Sequence, residues 1–252
     1  MSDDASGTTV AATSWHPAGV CYASTDEGTR LPVVDITNQA FAIEVGVDDL
    51  PAFAEASRRS LEHWARVPRW LRRPLERRSL LLGDTSGRSA YVSGLTTYLL
   101  KLGPEPLAAS IGLGGLDRRA AGAISSVAVR YRLRAVARLL ADGLLPRLAA
   151  DDGTPLLLLN LGGGPASDSL NALLLIRRER PELLRGRSVT IAVLDVDTVG
   201  PAFGRRCLDA LVAPGAPLAG LDATFDVVPY DWADSSALRG LLNNTGPAEP
   251  IV

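Results

Sequence analysis

The stretch that decides the fold is TPLLLLNLGGGPASD, residues 154–168. Its nearly uninterrupted apolar run, 156–161, is typical of a strand covered on both faces of a parallel sheet. The apolar periodicity of 169–178 predicts a helix. Glycines between a buried strand and a helix let the backbone approach a ligand, and the first amide groups of the helix supply unpaired donors. We therefore predict a nucleotide-binding turn, with an ordinary tight strand-to-helix turn as the alternative.

Composition narrows the classes of partner. The chain has 252 residues, 46% of them hydrophobic and 21% charged, as in a globular protein. Its formal net charge of -2 gives no global reason to expect nucleic acid or an anionic membrane. The arginine-rich segment 58–78 is interpreted as a solvated helix face. No apolar run approaches the roughly 18 residues of a membrane span, and Cys21 and Cys207 are too few for a disulfide framework, so we expect a cytoplasmic protein without a metal site.

The order of patterns predicts three regions. Residues 1–17 are rich in small and polar residues and are expected to form a flexible tail. Residues 18–115 are predicted to form a mixed, mainly helical cap region, in which three short apolar pieces, 20–22, 31–36 and 41–45, make a small antiparallel β element. Residues 116–252 form the predicted core. A helical stretch at 117–149, divided or ended by Pro146, leads into the glycine-rich strand.

Strands and helices are predicted to alternate after the glycines. Strand 188–194, helix 201–212, strand 223–228 and helix 235–242 follow in order, which favours a parallel sheet with right-handed crossovers. Residues 250–252 read as the start of a further strand, so we expect a core that is incomplete at its carboxyl end. An unpaired strand would leave an apolar sheet edge exposed, which predicts self-association into a homo-oligomer.

Residues just past each strand are candidates for binding, because ligands of open parallel sheets sit beyond the carboxyl ends of the strands. The first strand is followed by Gly162-Gly163-Gly164-Pro165, which could hold a cofactor against backbone amides. The second is followed by Asp195 and Asp197, either of which could accept the hydroxyls of a ribose. The third is followed by Asp231 and Trp232, a carboxylate for an exocyclic amine and an aromatic plane for a base. Capping of the next helix is the alternative role for such acids.

With these motifs in this order, residues 117–252 resemble the class I S-adenosylmethionine-dependent methyltransferases. The resemblance implies an α/β fold with a Rossmann-like parallel sheet and helices on both faces, preceded by the mainly helical N-terminal region with its small β element. It implies that the glycine turn meets the methionine portion of S-adenosyl-L-methionine, that the second strand end holds the ribose and that the third meets adenine. Asn160 belongs to the first motif and stands where the family often has an acid, and Ala166 stands where glycine is frequent.

A second part of the resemblance lies upstream. Residues 126–130, Ser-Val-Ala-Val-Arg, are similar to a helix of carboxyl-methyltransferase-like members, whose arginine pairs with the carboxylate of the cofactor. This implies a charge-assisted contact for Arg130. A surface-facing Arg130 is the alternative.

The activity that the resemblance implies is transfer of a methyl group to an O, N or C nucleophile of a small molecule, in a setting such as specialised metabolism. The donor is already activated, so no protein nucleophile is required and no catalytic residue is assigned. One alternative is an NAD(P)-dependent oxidoreductase, although Ser167 stands where a G-x-G-x-x-G pattern would place its third glycine. Another is a non-catalytic interaction module or an inactive methyltransferase fragment, in which case the chain alone binds cofactor weakly or fails to turn over.

Overall fold

A computed structural model describes residues 15–68, 70–71, 74, 79, 81, 94–112, 115–150 and 153–244. The expected strand at 250–252, most of the expected tail and five of the eight arginines of segment 58–78 lie outside these ranges. The described chain is α/β, with a three-stranded parallel sheet surrounded by helices.

The first elements belong to the predicted β region. Strands β1 (Tyr22–Ser24) and β2 (Arg30–Pro32) pair antiparallel, as expected. The expected third piece, 41–45, is not a strand. A 3-10 turn, Gln39–Phe41, forms there instead, because the Asn38 side chain accepts a hydrogen bond from the Ala40 amide and starts the turn.

The helices whose bounds are described before the central sheet are α1 (Leu50–Ala65), α2 (Gly94–Leu102), α3 (Pro104–Ile111), α4 (Gly115–Ala121) and α5 (Ile124–Ala150). The single helix predicted at 117–149 is thus two helices, separated at Gly122. Pro146 neither divides nor ends α5, which continues to Ala150. Pro146 lies on the exposed side of the helix, where water can bond the one carbonyl that loses its amide partner.

The alternation predicted after the glycines is confirmed. Its elements are β3 (Leu156–Leu161), α6 (Ser167–Glu179), the 3-10 turn Pro181–Leu184, β4 (Ser188–Asp195), α7 (Val199–Val212), β5 (Asp222–Pro229) and α8 (Ser236–Asn244). The strands are parallel in the order β3-β4-β5, with Leu156 opposite Val189 and Val189 opposite Ala223. All three carboxyl ends therefore meet at one edge, which is where the candidate residues were predicted.

Strand β3 shows why its sequence is apolar throughout. Leu156 and Leu158 belong to the main apolar cluster, which also contains residues of α5, α6 and α7. Leu157 and Leu159 belong to a second cluster, against which α8 packs. Because successive side chains of a strand point to opposite faces, helices on both sides require apolar residues at every position.

The N-terminal region and the sheet share one core. The main cluster contains Leu31 and Val33 from the N-terminal region together with Ile191 of the sheet. The buried Tyr98 hydroxyl of α2 accepts from the Val34 amide at 2.9 Å and donates to a carbonyl at 2.7 Å. The predicted boundary between residues 115 and 116 thus falls within continuous packing.

The end of the expected tail also belongs to the packed structure. Trp15 lies edge-on to Phe41, with ring centroids 5.8 Å apart, and its carbonyl accepts a hydrogen bond from the Tyr22 hydroxyl. These contacts place Trp15 in the folded region, against the expectation for residues 1–17.

Candidate functional site

A cavity of about 580 Å³ lies at the carboxyl ends of β3 and β4. The glycine turn, residues 162–165, forms one wall, and Asp195 and Asp197 lie beside it. Helix α2 contributes Gly94, Thr97 and Lys101 to the lining, and α5 contributes residues that include Arg132. A cavity of this size, with a few convergent polar groups, is typical of a small-molecule site.

The glycine turn needs its glycines for two separate reasons. Gly162 and Gly164 have φ values of 61° and 50°, a backbone conformation in which side chains are strained. Gly163 has no room for a side chain, since an added Cβ would lie 2.5 Å from the Cβ of Asn160. The turn therefore exposes bare backbone to the cavity.

Ala166 follows this turn and also has a positive φ, 51°. A glycine at this position would adopt the conformation without strain. An alanine held in this region costs roughly 1–2 kcal/mol. Ala166 precedes the first residue of α6, and its methyl group cannot cap the amide groups of that helix.

Asp195 holds the turn against the end of β4. Its Oδ2 accepts a hydrogen bond from the Gly164 amide at 2.8 Å, and its Oδ1 accepts from the Asp197 amide at 3.0 Å. The side chain is 9% exposed. The first predicted ribose ligand thus has a structural partner in the predicted glycine turn.

Asp197 joins three segments. Its Oδ2 accepts from the amides of Gly94 at 2.8 Å and Gly200 at 3.2 Å, and its Oδ1 accepts from the Val199 amide at 3.0 Å. The carboxylate therefore starts α7 and also binds the first residue of α2. An ionised carboxylate accommodates roughly four donors, so Asp195, with two, and Asp197, with three, can each accept further hydrogen bonds.

Three glycines let α2 approach the turn. A Cβ added to Gly94 would lie 3.1 Å from the Cα of Gly200 and 3.2 Å from the Cα of Gly164. No larger residue fits at this junction without displacement. The amino-terminal end of α2 is consequently part of the site.

Asn160 joins the end of β3 to the start of α6. Its Oδ1 accepts from the Ser169 hydroxyl at 2.9 Å, and the side-chain amide donates to the Leu158 carbonyl at 3.4 Å. Asn160 also lines the cavity. Pro165 lines it as well, and its carbonyl oxygen would lie 2.6 Å from a Cβ at Gly204 of α7.

Asp231 and Trp232 are not among the residues that line the cavity. The Trp232 side chain is 61% exposed and packs on the turn, since a Cβ on Gly162 would lie 3.1 Å from its Cζ2. The exposed Asp231 accepts from the Ala233 amide at 2.9 Å, which is the turn-forming role of an aspartate. The structure thus brings Trp232 to the glycine turn and leaves Asp231 in the following loop.

Arg130 also lies away from the cavity lining, and this corrects the position that the resemblance implied. The side chain is 5% exposed, so it does not face the surface either. Its guanidinium forms an ion pair with Glu44 and donates to the carbonyls of Ala121 at 2.9 Å and Leu100 at 3.3 Å. A buried guanidinium needs such acceptors, and here they come from three segments of the protein itself.

Lys101 lines the cavity but was not among the binding residues predicted from the sequence. It lies in the last turn of α2, is 6% exposed and lines the cavity. A usable signal was present, because Lys101 is the only lysine in a chain that otherwise uses arginine for its cations.

Comparisons with protein-family models, curated proteins and solved structures find no match for this chain. None of the helices in the described ranges is long and apolar enough to cross a membrane. The cavity itself therefore remains as the indication of function.

Proposed function

We propose that the chain is an S-adenosylmethionine-dependent methyltransferase acting on an O, N or C nucleophile of a small molecule, with a Rossmann-like core. The observation that carries this proposal is the cavity at the carboxyl ends of two adjacent parallel strands, with the bare glycine turn as its wall. Ligands of open α/β sheets bind at this position. The turn permits close approach of a ligand, and the two acids beside it have acceptor capacity left.

The groups around the cavity match the chemical groups of S-adenosylmethionine. The ribose hydroxyls are proposed to bind the free acceptor sites of Asp195 and Asp197, which lie beside the turn. The methionine portion is proposed to lie along the turn toward Lys101. The exposed indole of Trp232, packed on Gly162, is the aromatic surface proposed to contact the base.

Such a cofactor supplies an activated methyl group, so the residues of the chain have three tasks. The glycine turn and Asp195 orient the donor, because the carboxylate fixes the Gly164 amide and with it the shape of the turn. The start of α2, bound through Gly94 to Asp197, closes the side of the site. Leu158 and Leu159 line the same cavity and reduce access of water to the methyl group. Positioning of this kind supplies much of the rate of a displacement reaction.

Calorimetric titration tests the proposal. We expect saturable binding of S-adenosylhomocysteine to the purified chain and no binding of NAD. Gly164→Val should abolish binding by placing a side chain on the turn, and Asp197→Ala should weaken it. Gly240→Ala, on α8 with no atom within 4 Å of the added Cβ, is the matched control and should bind normally.

Other outcomes separate the alternatives. Binding of NAD in place of S-adenosylhomocysteine would support the oxidoreductase. Binding of neither would contradict both enzyme proposals and favour the interaction module or an inactive fragment.

A further inference from the structure

Lys101 is a buried cation without a direct partner. Its ammonium carries three donors, yet in the described part of the chain it makes no hydrogen bond and no ion pair. Leaving a buried charge unpaired is costly, so natural proteins pair such groups or use them. Because Lys101 lines the cavity, the missing partner fits a ligand group that accepts hydrogen bonds and carries negative charge.

The charged and titratable neighbours of Lys101 come from three helices. Burial lowers the pKa of Lys101, Asp168 of α6 opposes that change, Arg132 of α5 lowers the pKa further, and Cys207 of α7 opposes it. Cys207 is fully buried, and burial raises the pKa of its thiol to about 12, so it is neutral at physiological pH. Asp168 is therefore the only anion among these three neighbours.

Asp168 lines the same cavity and forms no ion pair with Lys101. The two side chains thus present opposite charges to one space without neutralising each other directly. A lone phosphate could bind Lys101 and Arg132, which lines the same cavity, but it would bring its charge close to Asp168, which is unfavourable. A group that carries both charges, a carboxylate and an ammonium on one carbon, satisfies both side chains.

We propose that Lys101 and Asp168 bind the α-amino acid group of the ligand, with its carboxylate at Lys101 and its ammonium at Asp168. The inference rests on the proposed function, because the methionine portion of S-adenosylmethionine supplies this group. The start of α6 supports it independently. This helix of 13 residues begins after Ala166, which offers no capping side chain, so its amino-terminal partial charge also favours a carboxylate.

The single lysine makes a direct test practical. Protein labelled with ¹⁵N and ¹³C only at lysine gives one side-chain amine signal, that of Lys101. We expect S-adenosylhomocysteine to shift this signal and raise the pKa of Lys101, because the ligand carboxylate favours the ammonium form. The same nucleoside thioether without its amino acid group, 5′-methylthioadenosine, should leave that pKa unchanged.

Calorimetry supplies the quantitative arm. The wild-type chain should bind S-adenosylhomocysteine about 10- to 100-fold more tightly than 5′-methylthioadenosine, as expected for a charge-assisted contact. In Lys101→Met this difference should fall about 10-fold, because only the contact of Asp168 with the ligand ammonium remains. Asp168→Asn should reduce the difference less, because Asp168 is the more exposed of the two side chains. Equal binding by the wild type, or a difference that is undiminished in Lys101→Met, would overturn the inference.

The outcomes separate this inference from the proposed function. Equal binding of the two nucleosides would keep the cofactor proposal and remove the role of Lys101. Failure of both nucleosides, with L-methionine still shifting the Lys101 signal, would keep the amino acid site and remove the cofactor proposal. Failure of both nucleosides to bind, together with a Lys101 signal that responds to none of these ligands, would contradict both.

Discussion

Arg130 and Lys101 are two buried cations of the helical region, 5% and 6% exposed, with opposite surroundings. Arg130 binds Glu44 and two backbone carbonyls and so joins the 42–49 loop, α2 and α4 to α5. Lys101, in the last turn of α2, binds no atom of the described chain and borders the cavity. A buried charge that is paired within the protein stabilises the fold, whereas a buried charge that faces a cavity without a partner indicates a ligand.

Removal of Arg130 should have the largest effect on stability. Arg130→Met leaves the Ala121 and Leu100 carbonyls and Glu44 without their donor, so we expect a loss of roughly 2–3 kcal/mol in the free energy of unfolding. Glu44 is half-exposed, which keeps the loss below that of a fully buried pair. Urea denaturation measures it, and Arg119→Met, at an exposed position of α4, is the control.

Ligand binding by the same variant decides the role of the arginine. The folded fraction of Arg130→Met should bind S-adenosylhomocysteine normally. If the variant instead keeps its stability and loses binding, Arg130 is the carboxylate ligand that the sequence resemblance implied, and the contrast with Lys101 fails.

The contact between α2 and the turn should give the next largest effect. Gly200→Ala places a methyl group 2.9 Å from the Cα of Gly94 and 3.1 Å from Asp197 Oδ2, so we expect destabilisation of about 1–3 kcal/mol. Gly240→Ala, at an open helical position of α8, should stabilise by roughly 0.5–1 kcal/mol. Thermal unfolding compares the two. Equal effects of both substitutions would show that α2 does not pack on the turn.

Removal of Lys101 should have the smallest effect on stability, and of the opposite sign. Lys101→Met removes an uncompensated buried charge, so we expect a gain of roughly 1 kcal/mol at neutral pH. The pKa of Lys101 is lower in the folded chain than its ordinary value of 10.5, which applies to the unfolded chain. At a pH between the folded and the unfolded pKa, the unfolded chain therefore binds more protons. Stability of the wild type should therefore rise with pH in that window.

The variant lacks this titration and should lack the rise. Denaturation profiles of both proteins from neutral to alkaline pH make the comparison. A variant that is less stable than the wild type at every pH would mean that Lys101 stabilises the fold, as Arg130 does.

Much of the sheet could be predicted from the sequence, because its signals are local. The apolar run 156–161 and the glycines after it are adjacent in the chain, and the alternation that follows has the period of parallel αβ units. The placement of Asp195 and Asp197 beside the turn followed from strand order alone. Their placement could be predicted without knowing any contact between distant parts of the chain.

The remaining features depend on distant contacts, which a single sequence does not reveal. Gly94 meets Asp197 across 103 positions, and Arg130 meets Glu44 across 86. Nothing in the sequence around Arg130 indicates that an acidic residue of the N-terminal region would pair with it. Pro146 was read as a helix breaker from its type, although its exposed position in α5 makes the lost hydrogen bond tolerable.

The most direct measurement is a crystal structure of the chain with S-adenosylhomocysteine at a saturating concentration. The ligand should lie in the cavity, its carboxylate within hydrogen-bond distance of Lys101 Nζ and its ribose hydroxyls at Asp195 and Asp197. A ligand bound elsewhere on the chain, or an empty cavity at that concentration, would contradict a methyltransferase site at the glycine turn.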